Sequence, residues 1–369
     1  MKVISAVNVN DALLRGVDLF QSPVNYRVQS SRNGDTMECH TPVTTVYHKP
    51  WQRVLFNQKR DANPFFHLYE SIWMLGGSRD LKKLTHFNAG MANFSDDNET
   101  LNGSYGYRWR QQFDYDQLEN IVEMLTRDPT SRRVVLQMWD PVNDLDSPSK
   151  DIPCNTNIYF KVRDDKLQMT VCNRSNDMIW GAYGANAVHM SVLQEYVAAA
   201  VGCDMGPYYQ VSDSFHVYLN KEWDKIKDLE GLNAFDAGDW KTADYPEPHY
   251  PLVTEGQAGN FLQECEQFLS LVPPRRVSGN PEPVDFWANV FGHNTHPNTE
   301  LHSRYRSTYS NTFFPDVLIP MVQCYLSHKR RNYEKSYDFL AQIKAMDWQQ
   351  ACFTWIKRRE LNWRKKNGA

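Results

Sequence analysis

The sequence contains no Cys-x-x-Cys pair. Its seven cysteines, at positions 39, 154, 172, 203, 265, 324 and 352, are scattered and odd in number. That pattern argues against a zinc ribbon and a disulfide framework, and no metal site is expected. No apolar run is long enough to span a bilayer. After Met1-Lys2-Val3-Ile4-Ser5 the chain turns polar, without the apolar stretch of an export signal. A soluble protein of the cytoplasm is the expectation. An excess of one charge is also missing. The formal net charge is −4, which argues against a nucleic-acid scaffold or a membrane-surface protein. Two local basic runs, Lys329-Arg330-Arg331 and Arg364-Lys365-Lys366, read as solvated helix faces. There is no internal repeat and no low-complexity tract.

What is present is apolar material, 41% of 369 residues, enough for a large core or two domains. Asn63-Pro64 opens a helix, with Asn as N-cap and Pro at the first position. Phe65, Leu68, Tyr69, Ile72 and Trp73 follow at helical spacing, and Gly76-Gly77 ends it. Residues 80–104 are polar and irregular. A second amphipathic helix is predicted from about Asp116 to Arg127, with Leu118, Ile121, Val122 and Leu125 on one face. Residues 133–138, 158–162 and 167–172 are β-rich, and Asp164-Asp165 reads as a hairpin turn. Residues 187–201 are apolar nearly all round, the pattern of a buried helix.

From about residue 221 the texture changes. Residues 238–254 and 273–300 are rich in Pro, Gly, Asn and His. Helices are predicted at about 257–271, 314–330 and 332–366. The expected organisation is a core over 1–220 and a mostly helical extension over 221–369 packed on it. His293, His296 and His302 read as a surface loop. Trp348, Phe353, Trp355 and Trp363 read as helix packing.

The chemistry concentrates between residues 153 and 181. Cys154 follows Pro153 and precedes polar Asn155-Thr156-Asn157 and a strand. A lone cysteine is ordinarily a small buried hydrophobe. At a strand entrance beside basic groups, a lowered pKa would make it a nucleophile. The basic groups are Arg132-Arg133 and Arg174. Adjacent arginines entering a strand point to opposite faces, so a joint grip on one ligand atom is not obvious. Arg174-Ser175 offers a guanidinium fork and a hydroxyl, which suit a phosphate dianion. Asp177 would repel phosphate, so it serves a second ligand or a structural pair.

Several segments together carry a resemblance. They are Tyr69–Leu75 with Gly77, Asn102–Gly106 with Trp109-Arg110, Asp128–Val134, Pro153-Cys154, Asn173–Asp177 with Gly181, and Ser214–Tyr218. In this order and spacing, across roughly 25–220, the chain resembles the thymidylate synthase and pyrimidine-nucleotide hydroxymethylase family. The resemblance implies an α/β fold: a three-layer core with a large mixed sheet whose face forms a homodimer contact. It implies a pyrimidine nucleoside monophosphate as substrate and 5,10-methylenetetrahydrofolate as cosubstrate.

The implied roles follow position by position. Cys154 resembles the nucleophile that adds to C6 of the pyrimidine. Arg174 and Ser175 match phosphate ligands. Arg132 and Arg133 match an arginine pair reaching the phosphate site of the partner subunit. Arg32 resembles a mobile-loop phosphate arginine, with Arg27 as a competitor. Glu70 matches a carboxylate that organises water, and Tyr105 a tyrosine near the C5 proton. His216 and Tyr218 match the pair on the sugar 3′-hydroxyl. Asp177, with Gly181, matches the pterin site.

Departures from the family's synthases give the resemblance a direction. Asn155 stands where ordinary synthases carry histidine, and the family's phage hydroxymethylases are polar there. Residues 91–97 lack the tryptophan stretch, and no closing segment is recognisable at residues 367–369. A site with polar Asn155 and water near Glu70 favours water over hydride at the last step, hence a hydroxymethyl product. Asn155 therefore joins the catalytic candidates. The base-reading position falls on Ala185, or on Asn186 if one residue is inserted. The inserted register favours dUMP; dCMP or CMP, a thymidylate synthase making dTMP, and a catalytically silent scaffold relative are the alternatives. The aromatic stripe of the tail would then either pack or close the folate pocket.

Overall fold

The computed structural model describes residues 1–219, 221–229, 245–272 and 308–368. The loop holding His293, His296 and His302 lies outside the described residues. Eight strands form one mixed sheet: β1 (Lys2–Ala6), β2 (Tyr26–Ser31), β3 (Gly34–Cys39), β4 (Val43–Tyr47), β5 (Val135–Gln137), β6 (Asn155–Arg163), β7 (Lys166–Asp177) and β8 (Asp204–Tyr218). The main helices are α1 (Val9–Gln21), α2 (Pro64–Leu75), α3 (Tyr105–Arg110), α4 (Gln117–Arg127), α5 (Asn186–Val201), α6 (Ala258–Ser270), α7 (Ile319–Lys329), α8 (Tyr333–Leu340) and α9 (Met346–Asn367).

Chain contacts divide the protein into two units, Met1–Ala62 with Gly103–Tyr245, and Asn63–Asn102 with Pro246–Ala369. This division differs from a cut at residue 220. The physical reason is α2, which is buried at every position. Its Phe65 ring meets Tyr325 of α7 and Trp355 of α9, so the helix belongs with the C-terminal helices. In that unit the single helix expected over 332–366 is two, α8 and α9, separated by residues 341–345. There Lys344 donates its backbone N–H to Asp316 O (3.0 Å).

In the first unit the sheet order is β1-β4-β8-β7-β6-β5, with the β2–β3 hairpin attached through β3 to β8. The β1–β4 and β7–β8 pairs are parallel, and the others antiparallel. The β6–β7 hairpin turns at Asp164 and Asp165, both with positive φ (50° and 55°). That is the backbone of a tight two-residue hairpin turn, which short acidic residues tolerate.

Helix α5 packs on β7 and β8. Its Val188, Met190, Leu193 and Val197 are buried. Buried Gln194 donates to Leu167 O (2.8 Å) and Gly206 O (2.9 Å), tying the helix to the starts of both strands. Gly202, with φ 80°, ends α5 in a left-handed cap. Strand β7 runs past the predicted apolar stretch, because its polar tail finds a full ladder in β8. Asn173 pairs with Ser212, Ser175 with Ser214, and Asp177 with His216.

Candidate active site

Cys154 sits at the mouth of β6, partly exposed, and its carbonyl accepts the Arg174 backbone N–H (3.0 Å). The Arg174 side chain folds back over the preceding strap. Its Nε donates to Pro153 O and its Nη2 to Ile152 O, both at 3.0 Å. Arg32, at the tip of the β2–β3 hairpin, donates from Nη2 to Lys150 O (3.2 Å). Two arginines far apart in sequence therefore converge on residues 150–153, the strap that carries the nucleophile. The same hairpin tip brings Asn33 Nδ2 to 3.5 Å from Tyr218 Oη. Arg27 lies back along β2, paired in register with Glu38.

The thiol does not follow the expectation of a lowered pKa. Burial pushes the Cys154 thiol up. Arg174 pulls it down, while Asp151 and Asp177 add to the rise. The correction is physical: one neighbouring guanidinium does not offset the loss of water around a thiolate. Asp151 was not singled out from the sequence. Its Oδ2 accepts the Gly103 N–H (2.7 Å), joining the strap to the segment that leads into α3.

Tyr105 is the first residue of α3. Burial drives its hydroxyl far above the usual phenol range, and the nearby Cys154 adds to this. The Asn155 amide lies against that hydroxyl and opposes the shift. Asn155 is 0% exposed, yet neither Oδ1 nor Nδ2 completes a well-formed hydrogen bond among the described residues.

Helix α3 is held from below. Arg108 makes a bidentate pair with Asp144 (2.6 and 2.8 Å), and the two side chains are 1% and 0% exposed. Arg108 also donates to Met138 O (2.9 Å). Beside the strap a cleft of about 330 Å³ is lined by Gln137, Trp139, Thr156, Asn157 and Arg174. The Arg174 guanidinium lies 5.7 Å from the Trp139 ring centre.

The far end of the β7–β8 ladder gathers the remaining candidates. Ser175 and Asp177 share one strand face two residues apart. His216 stands opposite Asp177, and its ring meets Tyr218 edge-on at 5.2 Å. Asp177 Oδ2 accepts the Trp180 N–H (2.6 Å), and Oδ1 is buried without a partner among the described residues. Burial raises the Asp177 pKa, with the Trp180 N–H, His216 and Arg60 opposing. Asn186 Nδ2 donates to Asn176 Oδ1 (3.1 Å), and Asn176 donates in turn to Gln210 Oε1 and Ser212 Oγ. A Cβ on Gly181 would stand 2.6 Å from Asn176 Oδ1, so glycine is needed there.

Arg132 and Arg133 are exposed just before the edge strand β5, and neither forms an ion pair among the described residues. Glu70 is buried on α2, in the second unit. Arg60 and Trp180 were not predicted as functional. Their significance comes from neighbours distant in sequence, and Lys59-Arg60 alone carries no signal.

The family model described as thymidylate synthase matches residues 58–230. A deoxyuridylate hydroxymethyltransferase of Pseudomonas phage M6 is 40% identical over 97% of this chain and 95% of its own length. The chain belongs to the thymidylate synthase family. A protein of the same name from Bacillus phage SP01 is 39% identical over 52% of this chain and 54% of its own. Another, from Delftia phage PhiW-14, is 29% identical over 62% of this chain and 65% of its own. As a member of the family the chain is a transferase of one-carbon groups, and its large mixed sheet agrees with the thymidylate synthase fold. Among the described residues no helix is long and apolar enough to cross a membrane.

Proposed function

We propose that the enzyme converts dUMP to 5-hydroxymethyl-dUMP, using 5,10-methylenetetrahydrofolate and water and releasing tetrahydrofolate. The observation that carries this reading is Asn155: a fully buried amide set against the Tyr105 hydroxyl and directly following Cys154. A histidine-to-asparagine departure that puts a small amide beside the nucleophile supports a bound water at the step where product identity is decided. The names of the phage relatives point the same way.

In this reading Cys154 Sγ bonds to C6 of uracil, and C5 becomes the carbon nucleophile toward the one-carbon unit that the folate supplies. The C5 proton leaves near Tyr105. Water held by Asn155 adds to the exocyclic methylene, and the C6–S bond breaks to return the thiolate. Glu70 matches the family's water-organising carboxylate on the resemblance of its Tyr69–Leu75 segment alone. Arg174, Ser175 and Arg32 hold the phosphate; the convergence of both arginines on the strap supports this. His216 and Tyr218 take the 3′-hydroxyl.

Asn186 reads the uracil. The backbone leaves helical geometry at Tyr183 and Gly184 just before α5, and the Asn186–Asn176 hydrogen bond, which ties this side chain to the tail of β7, supports the inserted register. Asp177, with Gly181, takes the pterin. The unpartnered Oδ1 suits a donor edge. Exposed Val135 and Tyr159 on the open sheet face support a homodimer in which Arg132 and Arg133 reach the partner's phosphate.

Mass spectrometry of dUMP and of dCMP, each incubated with enzyme and methylenetetrahydrofolate, tests the proposal. A gain equal to formaldehyde on dUMP is expected, without the absorbance rise of dihydrofolate. A methylated product with dihydrofolate in one-to-one yield, or turnover of dCMP alone, refutes it.

A further inference from the structure

We propose that Trp180 is the stacking platform for the flat ring system of the folate cosubstrate, with Arg60 as its buried support. The inference rests on the proposed folate chemistry and names a residue for which that reading has no role. An isolated exposed tryptophan needs no explanation by itself. This one differs in three respects.

First, its backbone is fixed to the proposed pterin carboxylate, since the Trp180 N–H is donated to Asp177 Oδ2 (2.6 Å). Second, the indole is backed on one face. The Arg60 guanidinium lies 4.3 Å from the ring centre, and Arg60 is only 2% exposed. Arg60 Nε donates to Ile179 O (2.8 Å), so cation and indole are anchored to the same turn. Gly184 admits the guanidinium: a Cβ there would stand 2.9 Å from Nη2. Third, Arg60 Nη1 and Nη2 are buried without acceptors among the described residues. Burial lowers the Arg60 pKa, and Asp177 is the first of the acids that oppose this. A cation held dry with unmade hydrogen bonds is expensive. What it supports is the indole face and the Asp177 charge.

Trp180 itself is 53% exposed. A ring held rigidly on one side and open on the other, three residues from the carboxylate, offers a preorganised surface for offset stacking. The ligand chemistry that fits is a planar aromatic system carrying an amide-like donor edge for Asp177, as a pterin does. Arg60 acts through Trp180 and is a positioning residue.

The test compares full-length wild type with Trp180→Leu, Trp180→Phe and Arg60→Met. Initial rates give separate KM values for methylenetetrahydrofolate and dUMP. Binding of tetrahydrofolate to dUMP-saturated enzyme is followed by tryptophan fluorescence. The expected result is a tenfold or larger rise in folate KM for Trp180→Leu, with dUMP KM unchanged. Phe should restore most of the loss. Arg60→Met should raise folate KM by a smaller factor. A ligand-induced quench present in wild type should be absent from Trp180→Phe. If wild type turns over normally and Trp180→Leu keeps its folate KM within twofold, the platform is refuted while the chemistry stands. If wild type neither binds tetrahydrofolate nor consumes methylenetetrahydrofolate, both readings fall.

Discussion

Removing the Asp144 carboxylate tests whether α3, the helix that begins with Tyr105, is fixed by a buried charge pair. Arg108 and Asp144 meet through two hydrogen bonds, at 2.6 and 2.8 Å, with almost no solvent contact. In Asp144→Ala the guanidinium keeps Met138 O but loses its counter-ion, and the Asp140 N–H loses its acceptor at 2.9 Å. Stranding one member of such a pair costs about 3–5 kcal/mol, and the orphaned N–H adds about 1 kcal/mol. Urea unfolding followed by circular dichroism should therefore show a loss of roughly 4–6 kcal/mol. At low urea, where the variant remains folded, kcat should fall because Tyr105 is no longer held. The paired change Arg108→Met with Asp144→Leu removes both charges and should recover most of the stability. A loss under about 1 kcal/mol for Asp144→Ala, or a double variant no better than the single one, would falsify the reasoning.

Three further outcomes are expected. Iodoacetamide labelling of Cys154, followed peptide by peptide, should have its pH midpoint above the usual thiol value of about 8.5, since burial dominates. Arg174→Gln should move the midpoint higher still, and a midpoint at or below the usual value counts against the electrostatics described. Gly181→Ala places a Cβ against Asn176 Oδ1 and should raise the nucleotide KM at least tenfold; unchanged kinetics would show that the Asn176–Asn186 pair does not bear on the site. His328, packed against Trp355 and Tyr325, is pushed down to about 4 by burial, reinforced by Arg331, Lys329 and Arg359. The unfolded chain takes up this proton first as pH falls, so stability present above pH 6.5 is lost between there and pH 4. The loss is about 3 kcal/mol, and a His328→Phe variant whose stability declines as steeply over that range would contradict it.

The helices were legible where local signals agree. Asn63-Pro64 and Gly76 mark the ends of α2, and Asp116 caps α4 as the sequence suggests. The apolar pattern of α5 gave its burial as well as its span. The polar tail of β7 was not legible as strand. Asn173–Asp177 has no apolar alternation, and its hydrogen bonds are taken by β8, whose paired residues begin almost forty positions later. Strand β8 itself, rich in polar residues, gave no period-two signal strong enough to read. Within the candidate site the sequence led to Cys154, Arg174 and Asp177, because reactive residue types lie close together along the chain. It could not lead to Asp151, Arg60 or Trp180, whose properties depend on Gly103, Asp177 and one another. The direction of the Cys154 shift was misread for the same reason: proximity to arginine is visible in a sequence, and loss of water is not.

The parallel pairing of β7 with β8 has a consequence for how this enzyme can vary. Ser175 and Asp177 owe their common orientation to the two-residue period of one strand. A single-residue insertion or deletion between Asn173 and Ser175 would turn both side chains to the opposite face at once, and one between Ser175 and Asp177 would set them on opposite faces. Length changes there are therefore closed to gradual compensation. The hairpin at Asp164-Asp165, at the other end of the same strand, carries no such constraint. Lineages of this enzyme should differ in length at the hairpin and keep a fixed count along the ladder.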